Sequence, residues 1–368
     1  MIVSAAMIAY LSGASARPAE LGKANPIMEM PDAAPSPEPR SHLTVALPDG
    51  RLLGYAEYGD PSGMPIFGFH GTPGSRLMFH LAHPVALELG IRLIAPERPG
   101  FGISTYHPGR TLASYAFDIA EFADALGIRR FAVAGISGGG PYAAACAAFL
   151  PDRVSALGLV SPVGPMAGAD KPASIGKGHY FAFRVTPRVP PLLAAVFLFG
   201  RYAFLYAPNA IYGFIMGRAS PSDWTILARG EVRRNLLQGI AEGCRPGIGA
   251  GMQEMGIFSR PWNVPFAEIT APAFLWQGMA DRNVSVTASL SLAGLVPNCR
   301  TRRIENAGHY WIFDNMTEVL QTLARAAREN TPAAGVPPGS SPQRHRHFPS
   351  LRRRGAHGGA ATLRRGQA

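Results

Sequence analysis

One short stretch constrains the fold more than any other. Residues 131–134 (FAVA) form an apolar run, Gly135-Ile136-Ser137-Gly138-Gly139 follows with no spacer, and an Ala-rich, helix-forming segment covers 141–149. Taken alone, a G-x-S-x-G pattern is weak, because glycine and serine are common. Between a strand and a helix it describes a sharp turn that lifts the Ser137 hydroxyl above a sheet, at the positive end of the following helix. The glycines are needed because the serine sits in strained backbone and its neighbours must allow close approach.

The rest of the chain has the periodicity such a turn requires. Residues 42–47 and 52–58 alternate in polarity around Pro48-Asp49-Gly50, a hairpin signal. Residues 65–69 and 91–95 are short apolar runs that end in turn residues, as buried strands do. Leu112, Tyr115, Ile119, Phe122 and Leu126 share one helical face, which Gly127 closes. A strand is expected over 154–160, and strand character resumes at 273–277 and 301–305 before a closing helix over about 317–328. Alternation of this kind implies an α/β protein with a mostly parallel sheet and helices on both faces. With 368 residues, 47% of them hydrophobic, the chain can fill one large core.

Between about Pro162 and Pro272 the alternation stops. Residues 191–217 are strongly apolar, but Arg201 interrupts the run and Pro208-Asn209 breaks it, so two helices of a lid are expected rather than a stable membrane span. The expected organisation is a core over 41–162 and 270–330, with a helical lid insertion over 163–269.

The two ends read as appendages: a disordered or cleaved extension over 1–40 and a disordered basic tail over 331–368. Residues 1–16 are apolar and end in Ala14-Ser15-Ala16, like an export signal, yet no Lys or Arg precedes the apolar run. A cytoplasmic protein is therefore the first expectation, with export, or a working start near Met28 or Met30, as alternatives. The net charge of +11 is concentrated in the tail, where seven Arg stand with no Asp or Glu. Nothing in the charge balance of the middle requires nucleic acid. Cys146, Cys244 and Cys299 form no C-x-x-C pair and no ligand cluster, so buried free thiols are expected and structural zinc is not.

Candidate chemistry sits at strand ends. His70-Gly71-Thr72-Pro73-Gly74 follows the strand at 65–69, where ligands bind in parallel sheets. Thr72 can offer a backbone N–H and Pro73 cannot, which makes the amides of Thr72 and Gly138 a candidate oxyanion hole. A serine nucleophile needs a base, and the base an orienting acid. Asp281 and His309 each follow a late strand, in the order Ser137, Asp281, His309. His70, His80, His83 and His107 precede the serine and fit that order poorly.

The segments FGFHGTPGSR, IAPERPGFGIS, AGISGGGPYA, WQGMADRNV and NAGHYWIF together resemble the α/β-hydrolase superfamily, most closely its capped serine branch with an HGxPG loop. The likeness runs from about residue 42 to 328. It implies an eight-stranded sheet with the lid after the sixth strand, Ser137 as nucleophile, Asp281 as acid, His309 as base, and Thr72 and Gly138 as the hole. Epoxide hydrolases and haloalkane dehalogenases carry Asp where this chain has Ser137, which argues against both activities. The expected function is hydrolysis of a small-molecule ester through an acyl-enzyme, with no cofactor and no metal. Because the lid is rich in Phe, Leu and Tyr, an apolar acyl group is the first choice. Alternatives are an aminopeptidase of the proline-iminopeptidase type, with Glu231, Glu242 or Glu254 binding the amino terminus, a carbon–carbon bond hydrolase, and a non-catalytic ligand-binding or scaffold protein on the same fold. Oligomeric state is not legible in the sequence.

Overall fold

The structure, a computed structural model, describes residues 37–330. The expectations for the export signal, the N-terminal extension and the basic tail lie outside the described residues, save for a few at the extension's inner edge.

Strands β1 (Arg40–Ala46) and β2 (Leu52–Gly59) form the expected antiparallel hairpin, with Gly50 at φ +83° in its turn. After β3 (Met64–Phe69), a 3-10 turn and the short helix α1 (His83–Glu88) lead into β4 (Ile91–Pro96). Helix α2 (Leu112–Ala125) precedes β5 (Phe131–Ile136), and α3 (Gly140–Phe149) precedes β6 (Val154–Val160). Six helices then intervene before the sheet resumes: α4 (Lys177–Tyr180), α5 (Pro190–Tyr206), α6 (Pro208–Arg218), α7 (Pro221–Leu227), α8 (Gly230–Cys244) and α9 (Gly249–Phe258). Strand β7 (Ala273–Gly278), α10 (Val286–Leu295), β8 (Arg300–Ile304) and α11 (Met316–Glu329) complete the order.

The eight strands form one sheet in the order β1-β2-β4-β3-β5-β6-β7-β8. All pairings from β4 to β8 are parallel, and β2 meets β4 antiparallel. Strand alternation explains the two cores. Phe67, Phe69, Val133, Leu157, Leu159 and Leu275 point to the face covered by α2, α3 and α10. Ile66, Ala132, Ala134, Ala156, Phe274 and Trp276 point to the face covered by α1 and α11. Helices on both faces require strands apolar on both sides, which is why these strands read as continuous apolar runs. The β8 edge is blunted by exposed Arg300, Thr301, Arg302 and Arg303.

The strand order reverses between β3 and β5, which lie side by side with Phe69 opposite Gly135. At such a switch point the loops leaving the two strands diverge and open a crevice. Both sequence-selected loops, 70–74 and 135–139, leave the sheet there. The helical insertion between β6 and β7 begins near the predicted break at Pro162, and the chain turns between α5 and α6 at Ala207. Of the cysteines expected to be buried, only Cys146 is fully so; Cys244 and Cys299 are half-buried.

Candidate active site

Ser137 sits at φ +54°, in a region that L-residues rarely adopt, directly between β5 and the helical turn leading into α3. The glycines around it are required by contact. A Cβ on Gly135 would lie 2.5 Å from the Gly139 carbonyl oxygen, and one on Gly139 would lie 2.1 Å from that of Phe69. A Cβ on Gly138 would meet Thr72 Oγ1 at 2.1 Å and the Thr72 amide nitrogen at 3.2 Å. The backbones of Thr72 and Gly138 are therefore held close together beside Ser137. Gly71 borders the serine as well, with room for a Cβ only 3.5 Å from Ser137 Cβ.

The 70–72 loop is held from below by a buried cation. Arg98, fully buried after β4, donates from Nη1 to the His70 carbonyl at 2.6 Å and from Nη2 to the Gly71 carbonyl and Thr72 Oγ1, each at 3.0 Å. Its counter-charge is Glu254 on α9, which also accepts from Thr72 Oγ1 and, at 3.3 Å, from Arg110. Helix α9 of the insertion is thus tied to the loop that carries Thr72. His70 is neutral here: burial and the adjacent Arg98 push its pKa well down, and its Nδ1–H donates to the Gly71 carbonyl at 2.8 Å.

His309 follows β8 and Asp281 follows β7. Asp281 Oδ2 accepts from His309 Nδ1 at 2.8 Å, while Oδ1 accepts the backbone N–H groups of Asn283 at 2.7 Å and Val284 at 3.0 Å. That arrangement places the proton of a neutral His309 on Nδ1 and leaves Nε2 free to accept another. Burial opposes ionisation of Asp281, but His309 and the two amides outweigh it and hold the carboxyl below its ordinary range. For His309, burial lowers the pKa, yet the charges of Asp281 and Asp223 outweigh burial and raise it.

Asp223 is a residue that sequence reasoning missed. It lies on α7, is 2% exposed, and accepts the backbone N–H of His309 through Oδ2 at 2.9 Å and that of Tyr310 through Oδ1 at 2.8 Å. The fit explains Gly308, where a Cβ would lie 1.9 Å from Asp223 Oδ2. In the sequence, nothing in the spacing of Asp223 points to residue 309. Arg98 was visible only as part of the IAPERPGFG segment, with no role attached.

All five sequence-selected residues come together. Ser137, His309, Thr72 and Gly138 line one cavity of about 510 Å³, and Asp281 backs His309. Its walls are mainly apolar and aromatic, among them Phe183, Phe204, Phe258 and Phe313, and the lining holds no Asp or Glu among the described residues. The three glutamates suggested for an aminopeptidase lie elsewhere. Glu254 is buried against Arg98 and Arg110, Glu242 pairs with Arg76 and Arg245, and Glu231 is an exposed neighbour of Arg229. No grouping of three or more His, Cys, Asp or Glu suited to a metal ion occurs among the described residues.

The chain belongs to the α/β hydrolase fold family, whose pattern it matches over residues 65–316. It is 35% identical over 131 residues to a non-heme chloroperoxidase of Streptomyces lividans, a match covering 33% of this chain and 45% of that protein. It is 32% identical over 124 residues to a bifunctional esterase/perhydrolase of Acinetobacter calcoaceticus, again covering 33% of this chain and 45% of the relative. The chain thus spans less than half the length of these relatives. Among solved structures, an esterase from Exiguobacterium antarcticum superposes with a TM-score of 0.60 at 18% identity, covering 78% of this chain and 99% of that one. At that identity the likeness concerns the fold.

Proposed function

We propose that this hydrolase cleaves a carboxylic ester with an apolar acyl group through an acyl-enzyme on Ser137. His309 Nε2 removes the Ser137 proton as Oγ attacks the acyl carbon, and Asp281 holds the imidazole in the required tautomer and stabilises its cation. The amides of Thr72 and Gly138 receive the charge that develops on the carbonyl oxygen, an effect worth roughly 3–4 kcal/mol per donor in comparable sites. The imidazolium then protonates the departing alcohol. Water, deprotonated by the same histidine, attacks the acyl-enzyme and releases the acid and free Ser137.

The observation that carries this reading is the 2.8 Å Asp281–His309 hydrogen bond, with His309 and the strained Ser137 lining the same apolar cavity. The esterase in the name of the Acinetobacter relative supports the same chemistry. The cavity lining, without a carboxylate among the described residues, favours an apolar acyl chain over a free amino terminus. The test is turnover of a series of p-nitrophenyl esters of rising acyl length alongside aminoacyl-p-nitroanilides. Ester cleavage with kcat/KM rising beyond acetate is expected. Cleavage of the anilides alone, or of neither series, would refute it.

A further inference from the structure

Helix α5 turns its aromatic side away from the other described residues. Of its 17 residues only Leu193 is buried. Leu192, Val196, Phe199, Tyr202 and Tyr206 recur three or four residues apart and so share one side, and all are exposed, Phe199 to 74% and Tyr206 to 76%. The opposite side is the one that packs. Phe197 closes on Gly251 of α9, Arg201 donates to the Cys244 carbonyl at 3.1 Å, and Phe204 lines the cavity. On α6, Phe214 adds to the outward aromatic surface at 62% exposure. Exposed apolar surface on this scale marks a docking face.

Charge identifies what docks. Residues 171–222 contain no Asp or Glu, and of their six Lys and Arg, Arg201 packs inward while Lys177 and Arg188, in the segments just before α5, and Arg218, at the end of α6, are exposed. A second copy meeting this face would set like charges against each other. An anionic bilayer surface satisfies both features, because aromatic rings seat at the boundary of headgroups and acyl chains while Lys and Arg meet the headgroups. The face also adjoins the cavity: α6 supplies Ile215 and Arg218 to the lining, and the Arg218 guanidinium lies 5.7 Å over the Phe214 ring. No single helix among the described residues is long and apolar enough to cross a membrane, and the one pair that is so together, residues 177–188 with α5, is bent by 114°. We infer that the outer face of α5 and α6 docks peripherally on an anionic lipid bilayer.

The test is flotation of the full chain with phosphatidylcholine vesicles containing or lacking phosphatidylglycerol. Ser137→Ala should bind as wild type does, which separates docking from the proposed hydrolysis. Binding is expected to anionic vesicles. The variant F199S/Y206S/F214S should weaken it at least about tenfold through lost apolar insertion, and K177E/R188E should weaken it by roughly fivefold or more per charge. Both variants should keep wild-type Tm and turnover of a soluble ester. If the triple variant fails to fold, Phe199→Ser alone, at the outward surface, must still weaken binding. Three results would each overturn the inference: equal binding to neutral vesicles, undiminished binding of the folded aromatic variants, or no vesicle binding. A dimer in sedimentation velocity that the aromatic variants dissociate, without vesicle binding, would assign the face to a second copy instead.

Discussion

Replacing Asp223 with Asn tests whether the helical insertion takes part in setting the histidine. The side chain keeps its shape, so its effects come from charge and from hydrogen-bond polarity. Asp223 accepts two backbone N–H groups, those of His309 and Tyr310. An amide can accept from only one of them and turns its NH2 toward the other. Hydrogen bonds to a charged group are worth about 1.5–3 kcal/mol each, so losing one in a buried site destabilises by about that much. At roughly 2–4 °C per kcal/mol in large domains, Tm should fall by on the order of 5 °C. The kinetic signature is more specific. Burial lowers the His309 pKa, and the charges of Asp281 and Asp223 raise it past the ordinary value, so removing the Asp223 charge must bring it down. In the mechanism proposed the working form is the neutral imidazole, hence the rise of kcat/KM with pH should begin at lower pH in Asp223→Asn than in wild type. A histidine displaced by a fraction of an ångström should also cost about tenfold in kcat/KM at the plateau. Full pH profiles on a rapidly released ester, with Tm by calorimetry, give all three readings. An unshifted inflection with unchanged plateau would show that Asp223 does not act on His309, whatever happens to Tm.

Other expectations follow from the same geometry. In wild type, kcat/KM should rise with pH through one ionisation whose midpoint lies above the ordinary histidine value of about 6.5, because Asp281 and Asp223 outweigh burial at His309; a midpoint below that value would contradict the electrostatics described. Gly138→Ala puts a Cβ 2.1 Å from Thr72 Oγ1 and forces the two loops apart. Steady-state kinetics should show a loss of about 10²–10³ in kcat, with little change in KM, as for the loss of one oxyanion donor. Glu254→Gln leaves Arg98 and Arg110 buried without their anion. Breaking such a group costs about 3–5 kcal/mol, so calorimetry should show Tm falling by on the order of 10 °C.

What could be read in the sequence follows from the range of the interactions involved. Strand β5, Ser137 and α3 are consecutive, so the glycines and the apolar run carry the whole geometry within 19 residues. The parallel strands were legible because burial on both faces makes them apolar without interruption, as in β6, where all seven residues are buried. Helix α10 was not anticipated. It follows a Ser285 cap, but its residues are apolar nearly all round, so it carries no clear 3.6-residue pattern. The contacts that hold the site's loops were equally silent. Asp223 bonds to a backbone amide 86 residues away, and Glu254 meets Arg98 across 156. Backbone amides carry no side-chain signature, and a glutamate or arginine in a polar segment looks the same whether solvated or buried. The aromatic content of the insertion pointed to an apolar acyl group but not to how the rings divide, with Phe183 and Phe204 on the cavity and Phe199 and Tyr206 outward.

The central claim is that Ser137 carries the acyl group, and covalent trapping tests it most directly. A fluorophosphonate should add one equivalent to the protein, and peptide mass spectrometry should locate the adduct on Ser137. Ser137→Ala should take up no label and lose turnover by on the order of 10⁶ while keeping its Tm, as serine removal does in other triads. Labelling at a different serine, with Ser137→Ala still turning over ester, would contradict the account.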